Sequence, residues 1–188
     1  MKMLLVILTA LSSFLTDLET KTLQADFTLT IAADASQPLN HTGSITLCGK
    51  QFRLAVFDME AAYDGNTLYI YSSDTDELTL SHPTEQELLE TNPFLYAQAL
   101  SKVCNIAERQ TSNDQRPTTI ITLTPKDQSI GIQRFTLTLT ADGLPSRLEV
   151  KEGRKTTSLT LRNAKYIPAA GQQFTLTPDP KTYVNDLR

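Results

Sequence analysis

The chain has 188 residues, a formal net charge of −4, no tryptophan and 7% aromatics. That length fits one domain whose core must come from Leu, Ile and Val. The acidic balance and the lack of a basic stripe give no footing for a nucleic-acid partner.

The opening stretch, MKMLLVILTALSSFL, sets one Lys before an apolar run. The run is too short, and too interrupted by Ser and Thr, for a membrane span. Two readings fit it. One is a secretory signal with Ala10-Leu11-Ser12 as a small-x-small cleavage site, so that residues 1–12 leave and 13–188 form one domain. The other is a retained helix, because Leu4, Leu8, Leu11, Leu15 and Leu18 recur at three- and four-residue steps with Asp17 and Glu19 off the stripe. No Cys follows closely enough to read the chain as a lipoprotein itself.

Residues 23–31, LQADFTLTI, alternate apolar with polar and are the first predicted strand. Phe27-Thr28-Leu29-Thr30 is spelled again at 135–138 and 174–177. Each copy reads as a strand with one greasy and one wet face, because Thr is β-branched yet carries a hydroxyl. Residues 32–42 are a predicted loop and 43–47 a strand. Gly49-Lys50 turns the chain into 51–57, with Phe52, Leu54 and Val56 on one face, and 59–63 continues extended. Asp64-Gly65-Asn66 is a hairpin signal into 68–71. Residues 72–76 turn, and 77–80 form the next strand.

The period then changes. Thr84 with Glu85 and Glu87 reads as a helix start, followed by Leu88 and Leu89. Asn92-Pro93 caps a second helix, with Phe94, Tyr96, Ala97, Leu100 and Val103 on its apolar side, ending near Cys104. Strands resume at 105–108, 118–124 and 133–140. Ala141-Asp142-Gly143 turns into 147–151, Glu152-Gly153-Arg154 turns into 156–162, and 174–177 is the last predicted strand.

The sum is a mostly β chain of the α+β kind. It is one strongly curved antiparallel sheet of about ten to eleven strands, an incomplete β-barrel, with two or three short helices as a lid over an apolar cavity. The predicted lining is Phe27, Leu29, Ile45, Leu47, Phe52, Leu54, Val56, Leu68, Ile70, Phe135, Leu137, Leu148, Leu159 and Phe174. The lid adds Leu88, Leu95, Leu100 and Val103. Ordinary core packing is the competing role for each.

No catalytic or metal site is expected. His41 with Asp34 and Ser36 can be drawn as a triad, but nothing in the sequence sets its geometry, and His82 sits in a polar loop. Asp74, Asp76 and Glu77 lack the glycine and spacing of a calcium loop. Cys48 and Cys104 are able to pair in an oxidising compartment or stand as two free thiols; no Cys/His cluster suggests a metal. Arg147, Lys151, Arg154 and Lys155 form a small basic patch, read either as hairpin solubility or as a dock for an anionic partner.

Several stretches then come in a familiar order: Leu23–Ile31, Gly43–Leu47 ahead of Lys50–Leu54, Tyr63–Tyr71, Asn92-Pro93-Phe94, Leu123-Thr124-Pro125, and Phe174–Leu176 with Asp186-Leu187-Arg188. Together they resemble the periplasmic outer-membrane lipoprotein carrier family, LolA, over nearly the whole chain. The resemblance implies an incomplete barrel closed by helices. It implies a monomeric periplasmic carrier, with no cofactor and no catalysis, that holds the acyl chains of lipoproteins. Its partners would be an inner-membrane lipoprotein exporter and an outer-membrane acceptor. Two departures matter. The family has a full helix between signal and first strand, whereas little chain is left here after Ser12, so either that helix is short or the apparent signal is the helix; and where the family has Arg-Pro ahead of its Phe, this chain has Cys48-Gly49-Lys50 with Phe52 in place. Lys50 then stands as the lid latch, without arginine's planar fork. A same-fold protein for another lipid, or an envelope-stress sensor domain, is the alternative.

Overall fold

The structure is a computed structural model describing residues 3–33, 37–111, 117–168 and 171–188, with the backbone alone for residues 3–9 and 128. Helix α1 (Met3–Thr20) leads into β1 (Thr22–Ala32), β2 (Leu39–Cys48), β3 (Gln51–Val56), β4 (Met59–Tyr63), β5 (Leu68–Ser72) and β6 (Glu77–Ser81). Helices α2 (Glu85–Thr91) and α3 (Pro93–Val103) follow. The chain returns as β7 (Cys104–Thr111), β8 (Thr118–Pro125), β9 (Arg134–Leu139), β10 (Pro145–Glu152), β11 (Lys155–Ile167) and β12 (Tyr183–Asp186). A 3-10 turn at Gln128–Ile130, which the sequence does not announce, precedes β9.

These strands form one 12-stranded sheet in the order β12-β6-β5-β4-β3-β2-β1-β11-β10-β9-β8-β7. Registers carry the alternation across it. Leu23, Ala25 and Phe27 sit opposite Leu47, Ile45 and Gly43; Leu47 and Ile45 sit opposite Phe52 and Leu54. On the other half Leu148 faces Leu137, which faces Ile121. One face, the inner, therefore carries the apolar side chains of these strands.

The sheet must curl, and α1 shows by how much. Between β2 and β7 lie six inter-strand steps, about 29 Å if the sheet were flat. Yet α1 touches both. The Leu18 carbonyl accepts from the Gly49 N–H at 2.7 Å beyond the end of β2, and the Leu11 N–H donates to Glu108 Oε1 on β7 at 3.2 Å. Those contacts are seven residues apart, about 10 Å of helix. The helix plugs an end of the curl.

Four expectations are corrected. Residues 57–58 make a turn, so 59–63 is a separate strand antiparallel to β3 rather than its continuation. Phe57 holds a left-handed φ of 56°, which a bulky side chain rarely adopts and which no Gly or Asn signals. β2 begins at Leu39, inside the predicted loop, because Leu39 pairs with Ile31 and extends the hairpin. β7 runs four residues past Asn105–Glu108 at its two ends together, pairing with β8 from Cys104 to Thr111. Residues 174–177 form no strand. Pro178 and Pro180 interrupt the ladder just beyond them, and the chain pairs only at β12, parallel to β6. With β4 ending as its own strand and β12 added, the described sheet exceeds the count expected from sequence.

The helix starts read correctly. Thr84 forms a capping box, its Oγ1 accepting from Glu87 N at 3.3 Å while its N–H donates to Glu87 Oε2 at 2.7 Å. Asn92 ends α2, its N–H donating to the Leu88 carbonyl at 2.9 Å, and starts α3, its Oδ1 accepting from Phe94 N at 3.0 Å and Leu95 N at 3.4 Å. Asn92 is 1% exposed, and its Nδ2 has no partner. Asn92→Ala is expected to cost about 1–2 kcal/mol in chemical denaturation, whereas Asn92→Ser, which keeps the acceptor and removes the orphan donor, is expected to cost far less.

Candidate functional site

The inner face collects the core. Leu23, Phe27, Ile45, Leu47, Phe52, Leu68, Ile121, Leu123, Phe135, Leu137 and Leu148 join one buried cluster, and the helices contribute Leu11, Phe14, Leu18, Leu88, Phe94, Ala97 and Leu100. Phe52, Phe135 and Leu137 are 0% exposed. Rings from the helices reach into the curl: Phe14 lies 6.1 Å from Phe94, and Tyr96 meets Phe135 edge-on at 6.4 Å. The protein's own side chains thus occupy most of the concavity.

One hollow lies directly under the helices. A hollow of about 230 Å³ lies between Leu15 and Leu18 of α1, Leu47, and Phe94 and Leu95 of α3, with Glu19, Gly49, Lys50 and Gln98 at its rim. That is below the roughly 300 Å³ where small-molecule pockets begin. The hollow is a seam between helices and sheet, which widens if the helices lift. Two bonds hold it shut. Gly49 N donates to Leu18 O, and Gln98 Nε2 donates to Glu19 Oε1 at 2.8 Å. Lys50 lines the seam but makes no ion pair among the described residues.

Away from the helices the inner face is half open. Leu29, Leu54, Val56, Ile70 and Leu159 pack against the cluster without full burial. Beyond them Leu39, Phe57 and Met59 are 60%, 80% and 44% exposed. Phe57 touches His41, ring centroids 5.4 Å apart. Because so little of the Phe57 ring is buried and its φ is strained, Phe57→Gly is expected to raise the melting temperature or leave it unchanged.

The predicted lining therefore divides. Phe27, Ile45, Leu47, Phe52, Leu68, Leu100, Phe135, Leu137 and Leu148 are buried in the cluster; Leu29, Leu54, Val56, Ile70, Leu95 and Leu159 are half-buried beside it. Two expectations fail. Phe174 is buried but outside the cluster, because its segment passes the outer face, where Leu176 and Thr182 cover Leu78. Val103 is 45% exposed at the end of α3. Missing from the predicted set are Leu11, Phe14 and Leu18, visible in the leucine stripe of α1, and Ile121 and Leu123, visible in the alternation of β8. Glu108, on the inner face of β7, had no sequence signal.

Burial drives the electrostatics here. It pushes the Tyr96 hydroxyl and the Cys104 thiol up, so both keep their protons at neutral pH. It also raises the Glu108 carboxyl, against the opposing hydrogen bond from Leu11 N–H. Cys48 and Cys104 are free thiols. The basic patch is interleaved with acids: Arg147 meets Glu149 at 3.1 Å and Lys155 meets Glu152 at 3.4 Å. Asp34 and Ser36, drawn with His41 as a triad, lie outside the described residues. Among the described residues, no helix is long and apolar enough to cross a membrane.

The model of a sequence family, outer membrane lipoprotein carrier protein LolA, matches residues 19–177. No curated protein is similar enough in sequence to count as a match. Among solved structures, an uncharacterized conserved protein from Thermus thermophilus superposes with a TM-score of 0.63 at 11% identity, over 95% of this chain and 98% of that one. That likeness is one of fold. A LolA superfamily protein, NE2245 from Nitrosomonas europaea, aligns at a TM-score of 0.44 and 10% identity over 90% of this chain and 98% of that one. Lipoprotein LppX from Mycobacterium tuberculosis aligns at 0.43 and 13% identity over 89% and 98%. A curled open sheet with a helical cover, together with a family match spanning most of its length, makes this chain a member of the LolA family.

Proposed function

We propose that the chain is an exported periplasmic carrier. It binds the acyl chains of lipoproteins in the curl of its sheet and passes them, as a monomer, from an inner-membrane exporter to an outer-membrane acceptor. The observation that supports this reading most is the largely apolar inner face, plugged by helices that meet the sheet through few polar ties.

The energetics set the design. Burying an acyl chain gains about 0.8 kcal/mol per CH₂, roughly 12 kcal/mol for sixteen carbons. Three such chains would pass the ceiling of about 20 kcal/mol for reversible association. A carrier must release, so part of the gain has to be offset. Here the offset is the apolar contact that Tyr96 makes with Phe135 of the sheet, and that Phe14 and Phe94 make with each other in the buried cluster, lost when cargo replaces them. Binding becomes an exchange of one apolar filling for another.

Extraction of the protein from an envelope fraction, followed by mass spectrometry of what travels with it, tests the reading. Triacylated lipoprotein is the expected cargo; a different lipid would make the protein a carrier of that lipid instead, and recovery of no lipid at all would count against both. For a mutational test, Phe52 is unsuitable, since a Glu at a wholly buried position attacks the fold itself. Ile70→Glu, on the half-open part of the face, is expected to weaken palmitate binding at least tenfold while the melting temperature changes little.

A further inference from the structure

The outer face of the sheet carries a groove of about 490 Å³, larger than the hollow under the helices and within the roughly 300–1,000 Å³ of small-ligand pockets. Its residues come from β11, β1, β2, and the end of β3 with the turn after it. Asp26, Thr28, Ser44 and Ala55 alternate with the inner-face residues Phe27, Ile45 and Leu54, so they point outward. Gly43 and Ala55 leave the floor low. Phe57 closes one flank, and Arg162 with Asn163 the other, three inter-strand steps or about 14 Å away.

Strained backbone collects here. Three non-glycine residues hold a left-handed φ among the described residues, and two of them, Phe57 at 56° and Asn163 at 54°, line this groove. Such conformations persist where the surrounding structure imposes them, and they gather at ligand sites. At Asn163 the cause is visible: the β1–β11 register slips between Gln24 and Asp26, a bulge that re-aims the side chains beside it. Asp26 stands opposite Arg162 in the ladder, yet its Oδ2 accepts from Asn163 Nδ2 at 2.8 Å. Arg162 makes no ion pair among the described residues. A carboxylate, an amide and a guanidinium therefore lie side by side. Across the groove the Phe57 ring is 80% exposed, with His41 against its edge.

We propose that this groove is a second binding site, separate from the acyl site, and that it takes a neutral glycan. Charge sets the class. An anion would meet Asp26 and a cation would meet Arg162, whereas sugar hydroxyls use the one as acceptor and the other as donor. Thr28, Thr42 and Ser44 add hydroxyls along the floor. Phe57 offers a flat apolar surface to the C–H face of a pyranose ring. A peptide docking as an added strand is disfavoured, because β11, β1, β2 and β3 are all interior and have no open edge.

Amide NMR of the isotopically labelled 188-residue protein, titrated with maltotetraose, cellotetraose and chitotetraose, tests this. At least one of the three is expected to shift the amides of Asp26, Thr28, Ser44 and Arg162 saturably. Arg162→Gln and Phe57→Gly are each expected to weaken that binding at least tenfold. Arg147→Gln, on the outer face but outside the groove, is expected to leave it unchanged. Phe57→Gly also relieves strain, so lost sugar binding beside a melting temperature that does not fall marks the ring as a ligand contact. Palmitate affinity is expected to be the same in wild type and both groove variants. No saturable shift with any of the three sugars overturns the inference, as does sugar binding that both groove variants leave intact. Displacement of the sugar by inorganic phosphate overturns the neutral class. A parallel loss of palmitate binding would make the groove part of the acyl site and overturn it as a second one.

Discussion

Phe94→Ala is expected to lower stability by about 3–5 kcal/mol and, at the same time, to raise affinity for a hydrophobic probe several-fold. The two effects share a cause. The Phe94 ring is 2% exposed, lies 6.1 Å from Phe14, and forms one wall of the seam beside Leu15, Leu18, Leu47 and Leu95. Removing a buried ring forfeits its transfer energy and leaves a cavity, which together set the stability loss. The vacated space joins an existing hollow of about 230 Å³, so the enlarged seam enters the size range of true ligand pockets. Leu78→Ala is the control. Leu78 is 1% exposed but on the outer face, under the C-terminal segment. It is expected to cost about 2–5 kcal/mol with no gain in probe binding. Denaturant titration and dye fluorescence on the two variants measure both quantities. A Phe94→Ala protein that is destabilised yet binds no better would mean that the ring is plain core and not a stand-in for cargo.

Gly43→Ala is expected to destabilise by about 3 kcal/mol, a large cost for one methyl group. The need for glycine at 43 is steric. A Cβ there would fall 2.4 Å from Phe27 Cζ and 2.3 Å from the Ala55 carbonyl oxygen. Phe27 sits directly across the strand pair from Gly43, and its ring fills the place a side chain would take. The ring can rotate away, at the expense of its own packing. The carbonyl cannot, because Ala55 belongs to the β2–β3 ladder, opposite Ser44. Pairing Gly43→Ala with Phe27→Leu is therefore expected to recover only part of the loss. If Gly43→Ala melts within a degree or two of wild type, the close approach of β2 and β3 that shapes the curl is wrong.

Much of this architecture is legible from alternation. Side chains repeat every two residues along a strand, so Phe27, Ile45, Phe52, Phe135 and Leu137 fall on one face by spacing alone. Thr84 and Asn92-Pro93 mark the helices because capping is local chemistry. What escapes a sequence reading is non-local. Phe-Thr-Leu-Thr is a strand in β1 and β9 but not at 174–177, although the letters are the same. Only the first two have a neighbour strand to pair with; the third meets prolines and the outer face. The Phe57 turn escapes because its φ is imposed by the hairpin around it, against the preference of the residue. The tie between Gly49 and Leu18 escapes because it is backbone to backbone, whereas Lys50 advertises a charge and makes no ion pair among the described residues. How completely the curl is filled depends on side-chain volumes from three separate helices, a sum that no one-dimensional pattern carries.

The most direct test of the central claim is photo-crosslinking with a palmitate analogue carrying a diazirine near its methyl end, followed by peptide mapping. A chain that exchanges its own apolar filling for acyl cargo is expected to be labelled on Phe52, Phe135, Leu137 and Phe94, the lining of the curl and the underside of α3. Labelling confined to the outer face around Leu78 and Leu176, or to the exposed rim at Phe57 and Leu39 with the interior untouched, would contradict it.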